Sequence, residues 1–86
     1  MTKLEDAVLK SPNGAVIVDH LRGHYDADGA GWFLSTGLPA DFPGLESWRS
    51  YRLMVGGNEL SIRTQEVKHT LMITTNHVSV DFKIQK

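Results

Sequence analysis

His77-Val78-Ser79-Val80-Asp81-Phe82-Lys83-Ile84 alternates polar and apolar side chains over its whole length. Successive side chains of an extended chain point to opposite faces, so Val78, Val80, Phe82 and Ile84 share one face and His77, Ser79, Asp81 and Lys83 the other. This is the pattern of a half-buried strand in an antiparallel sheet. The pattern recurs upstream, where Leu60 and Ile62 alternate with Glu59, Ser61 and Arg63, and residues 67–74 read as a longer strand holding Leu71 and Ile73. Thr75-Asn76 reads as a turn. Gly56-Gly57-Asn58 reads as a hairpin turn, because these residues reach positive φ at little cost.

Residues 44–55 carry two periods at once. Leu45, Trp48, Arg52 and Val55 would line a helical face, whereas Tyr51, Leu53 and Val55 alternate as a strand does. The expectation is a helical turn near 44–48 and a strand at 49–55, giving a four-stranded C-terminal meander between residues 49 and 84 with its last strand at a sheet edge.

Toward the N-terminus the signals change. Thr2-x-x-Glu5 has the form of a capping box, and Leu4, Ala7 and Val8 follow at helical spacing, so a short amphipathic helix is expected up to Lys10. Ser11-Pro12-Asn13-Gly14 ends it. Ala15 to Leu21 is rich in β-branched residues and apolar on both faces, which predicts a strand covered on one side by that helix. Trp32-Phe33-Leu34 reads as a brief strand between loops at 22–31 and 35–44. The fold class expected is α+β: a short N-terminal helix packed on a mainly antiparallel sheet of about five to six strands, in one domain spanning residues 1–86.

Composition narrows the function classes. A hydrophobic fraction of 41% with 22% charged residues suits a globular domain and argues against disorder. The absence of cysteine removes disulfides and thiolate chemistry. No apolar stretch is long enough to cross a bilayer as a helix, and MTKLEDAV lacks the marks of a signal peptide, so a cytoplasmic location is expected. The net charge is −1, split as −3 over residues 1–43 and +2 over residues 44–86, too mild a bias to name a partner.

Six of the seven aromatic residues lie between positions 25 and 51, interleaved with Gly29, Gly31, Gly37 and Gly44. Phe33, Phe82 and Trp32 are expected in the core, and Tyr25, Phe42 and Trp48 at the surface. Trp, Tyr and Arg dominate interface energetics because they bury a large area and keep a polar handle. Tyr25, Trp32, Phe42, Trp48, Arg49, Tyr51 and Arg52 are therefore the candidate partner-binding residues of a small stoichiometric protein-binding module, the format of inhibitors, immunity proteins and phage accessory proteins. Self-association through the last strand would give a homodimer.

Two other chemistries are legible. Trp48, Arg49, Tyr51 and Arg52 interleave aromatic and basic groups as a single-stranded nucleic-acid-binding surface would, with Arg63, Lys68 and Lys83 as an extension. His20, His24, Asp26 and Asp28, with Asp19 beside them, have metal-ligating side chains, but Gly23 and the strand-like context weaken the four-residue histidine spacing. A calcium loop around Gly29 fails, since Ser35 stands where a bidentate Glu is needed. No nucleophile elbow, phosphate loop or zinc-protease helix is present, so no catalytic residue and no cofactor are expected.

Overall fold

A computed structural model of the chain describes residues 1–39, 44–72 and 75–85. Six strands run in chain order, β1 (Thr2–Lys10), β2 (Val16–Tyr25), β3 (Ala30–Pro39), β4 (Ser50–Val55), β5 (Asn58–Met72) and β6 (Thr75–Ile84). All neighbours are antiparallel, and the strand order β1-β2-β3-β6-β5-β4 closes into a barrel through the pairing of β4 with β1. Two three-stranded meanders, β1–β3 and β4–β6, are thus joined edge to edge. Because β6 lies between β3 and β5, strands β3 to β6 form a Greek key. No helix among the described residues is long and apolar enough to cross a membrane.

The α+β expectation is overturned: the described residues contain no α-helix, and the fold is all-β. Residues 2–10, expected as a helix, form β1. The buried residues of that strand are Leu4, Ala7 and Leu9, and both Glu5 and Asp6 lie exposed between the first two. Asp6 adopts φ 50°, and the register with β2 shifts between Leu4 and Ala7. A β-bulge has inserted one residue, so apolar positions that would be two apart are three apart, the spacing of a helical turn. With no helix to cover it, β2 turns Val16 to solvent, 61% exposed, and sends Val18 inward.

The same device accounts for other departures. In β2, His20 at φ 55° stretches the buried pair Val18 and Leu21 to three residues and restores the register that β1 lost. In β5, the register with β6 slips between Thr64 and Val67, so the two short strands expected on either side of Gln65 are one bent strand, and the C-terminal meander has three strands. In β3, a slip between Ser35 and Leu38 carries the strand to Pro39 through residues expected as loop. The helical turn expected at 44–48 is a turn at Ser47-Trp48, and Thr75-Asn76 begin β6. The Gly56-Gly57 hairpin turn is present, with φ 54° and 89° and Val55 paired to Asn58.

Closure also removes the edge through which a dimer was expected. β6 is paired on one side to β3 and on the other to β5. With both of its sides taken, β6 has no unpaired row of backbone groups to offer a second copy.

The core fills the barrel. Leu4, Ala7, Leu9, Val18, Leu21, Phe33, Leu53, Ile62, Val78, Val80 and Phe82 are buried and form one cluster, joined by Leu45 from the β3–β4 connection. Phe33 and Phe82 meet at its centre with ring centroids 5.8 Å apart. Two glycines let strands and rings approach there. A Cβ on Gly23 would lie 1.9 Å from the Trp32 carbonyl oxygen, and one on Gly31 would lie 2.4 Å from Cζ of Phe82, whose ring covers the glycine across the β3–β6 pair.

Candidate binding surface at the mouth of the barrel

β3 and β4 stand on opposite sides of the closed barrel, with two strands between them by either route, and their connection lies at one end of it. Its described part, residues 44–49, is hydrogen-bonded to β5 at Thr64 and His69. Leu45 turns inward, 7% exposed, and closes the core from above. The backbone following it is fastened to β5 and β4 by side chains. The Leu45 N–H donates to Nε2 of His69 at 3.2 Å, which requires that nitrogen to be the unprotonated one. The Glu46 N–H donates to the Tyr51 hydroxyl at 3.3 Å.

Thr64 is the main clasp. It is fully buried, and its hydroxyl donates to the Glu46 carbonyl at 2.7 Å while accepting the Arg49 N–H at 3.1 Å. Its backbone completes the attachment: the Trp48 N–H donates to the Thr64 carbonyl at 3.0 Å, and the Thr64 N–H donates to the Arg49 carbonyl at 2.9 Å. A buried hydroxyl costs free energy unless it is bonded, and here it is bonded to the loop that carries the exposed aromatic.

That aromatic is Trp48. It holds φ 60°, a left-handed backbone conformation that a bulky side chain rarely adopts, and the residue is 62% exposed. The left-handed conformation costs about 1–2 kcal/mol for an L-residue, and nothing in the core repays it. Backbone strain of this kind gathers at functional sites, where the surrounding structure holds it in place. Trp48 and Arg49 thus form a knuckle on the barrel mouth. The Arg49 Nε lies 2.6 Å from a Glu46 carboxylate oxygen in an exposed pair that orients the guanidinium against its own loop.

The remaining sequence candidates are dispersed. Tyr51 is half-buried, with its ring packed on the core. Arg52, on the outer face of β4, pairs with Glu59 at 3.2 Å. Tyr25, expected at the surface, is half-buried against the core. Trp32, expected in the core, lies half-buried on the outer face, where its indole N–H donates to Ser79 Oγ at 2.7 Å and its ring stands 6.1 Å from that of His24. Phe33 and Phe82 are buried as expected. Phe42 lies outside the described residues.

The histidine–aspartate set is not assembled. His20 sits in the β2 bulge with Nδ1 3.3 Å from Asp6, a residue that the sequence analysis did not single out, while its Nε2 is 3.9 Å from Asp19. The two carboxylates thus sit on opposite ring nitrogens. His24 pairs instead with Trp32 and Lys3 across the sheet. Asp28 accepts the Ala30 N–H at 3.0 Å, and Asp26 accepts the Gly29 N–H through its backbone, as turn residues do. Among the described residues, no group of three or more His, Cys, Asp or Glu side chains is placed to hold a metal ion.

Two residues of the clasp escaped sequence reasoning. Thr64 follows Leu60 and Ile62 in period-two phase, so a polar residue on an apolar face was its signal. His69 gave no signal. Comparison of the chain with family models, with curated proteins and with solved structures found no match.

Proposed function

We propose that this barrel is a stoichiometric protein-binding module whose primary anchor is Trp48. The observation that carries the reading is a largely exposed indole held in a left-handed conformation by a fully buried threonine. Large rigid aromatics lose little conformational freedom on binding and fill a partner's pocket, so an aromatic presented from a fastened loop makes an efficient anchor. The barrel supplies the rigid platform, and Arg49 and Glu46 supply a polar rim beside the ring.

A photo-crosslinking residue placed at exposed Ser47, beside the retained Trp48, with a control at exposed Glu66, tests this in the native cell. Position 47 should label a distinct protein that also co-purifies with the unmodified chain, and both labelling and co-purification should be lost with Trp48→Gly. Equal labelling from both positions would reject the knuckle as an anchor.

A further inference from the structure

The outer face of β1, β4, β5 and β6 places like charges directly opposite one another twice. Lys10 on β1 is the register partner of Arg52 on β4, and Arg63 on β5 is the register partner of Lys83 on β6. Their strand neighbours Leu9, Leu53, Ile62 and Phe82 are buried, which turns the four cations outward. Like charges opposite each other in an antiparallel pair destabilise it. Of these four cations only Arg52 has an acidic partner among the described residues, Glu59; Asp81 lies two residues before Lys83 on the same face but makes no ion pair there.

Between the two pairs lies a small concavity lined by Pro12, Ser50, Tyr51, Arg52, Ser61 and Gln85. Register locates it: Ser61 is opposite Arg52, and Ser50 is opposite Arg63. Its wall therefore offers two hydroxyls and an amide, with the Ser50 hydroxyl donating to the Gln85 amide oxygen at 3.3 Å, and cations stand on either side; the Tyr51 ring packs on the core instead. An acidic peptide would need the cations alone. A nucleotide uses both, phosphates on the cations and the sugar or a base edge hydrogen-bonded in the polar hollow.

We infer that this face binds the sugar-phosphate backbone of a single-stranded nucleic acid, with Lys10 and Arg52 on one side of the hollow and Arg63 and Lys83 on the other. The hollow adjoins the Trp48–Arg49 knuckle at Ser50 but is lined by neither residue, and the inference stands independently of the protein-binding reading.

The test is fluorescence anisotropy of a short labelled oligothymidylate at low salt, with an oligoglutamate peptide of equal charge as the second probe. The unmodified chain should bind the oligonucleotide with a strong salt dependence and bind the peptide at least about tenfold more weakly. The double variant Arg63→Gln, Lys83→Gln should weaken oligonucleotide binding, and lower the slope of log K against log salt by roughly 1.4, at about 0.7 for each phosphate contact on a single strand. Its melting temperature should not fall, because the substitution removes a repulsion, and this separates lost binding from lost fold. Absence of oligonucleotide binding, an unchanged salt slope in the variant, or equal affinity for the peptide would each overturn the inference, the last in favour of an acidic protein partner.

Discussion

Thr64 holds Trp48 in place: the indole-bearing residue donates its backbone N–H to the Thr64 carbonyl at 3.0 Å, and the Thr64 hydroxyl grips the loop on both sides, at Glu46 and Arg49. The most exposed aromatic of the described chain is therefore tied to one of its most buried polar groups. Its presentation is a property of the fold and does not depend on a flexible loop finding a conformation.

Thr64→Val keeps the shape of the side chain and removes the hydroxyl. The Glu46 carbonyl and the Arg49 N–H then lose their side-chain partner at a buried position, and the expected loss of stability is about 1–3 kcal/mol. Urea denaturation should show it as a lower midpoint with an unchanged slope. Amide exchange of Trp48 and Arg49 should quicken more than that of Val80.

At position 48 the backbone and the side chain make separable predictions. Trp48→Gly relieves the left-handed strain and Trp48→Ala does not, so the glycine variant should be the more stable of the two by about 1 kcal/mol. Both should lose a partner anchored on the indole. Equal melting temperatures would show that the φ of 60° carries no strain.

Gly23→Ala tests barrel closure. The new methyl would meet the backbone of β3, with the Trp32 carbonyl oxygen 1.9 Å away, and a carbonyl in a paired strand cannot swing aside as a flexible side chain can. The expected cost is about 3 kcal/mol or more, the upper end for overpacking. A variant that melts within a degree of the parent would mean that β2 and β3 separate freely.

His20 and Asp6 face each other from two bulges with side chains 79% and 86% exposed, and both hold positive φ. An ion pair this solvated contributes about 0–1 kcal/mol. Replacing His20 with Gly removes that pair and relieves a left-handed conformation worth about 1–2 kcal/mol. His20→Gly should therefore raise the melting temperature. A clear fall would assign the histidine a structural role that its exposure does not indicate.

The local alternation was written in the chain. Residues 78–84, 59–63 and 51–55 announced strands and their buried faces, and Gly56-Gly57 announced a hairpin, because side-chain direction in a strand and positive φ in a turn are decided within a few residues. The exposure of Trp48 followed from a loop-like context. Which strands would pair, and that they would close, was not legible. Asp6 and His20 each add one residue to a strand, and one added residue converts a period of two into a spacing of three, which read locally is a turn of helix or a loop. Only the tertiary structure, by pairing β1 with both β2 and β4, makes those residues bulges, since the ladders on either side are what define a residue as extra. Thr64 belongs to the same class: its hydroxyl is an anchor only because closure brings residues 46–49 over the barrel mouth, a contact between positions fifteen or more residues apart that no local pattern encodes.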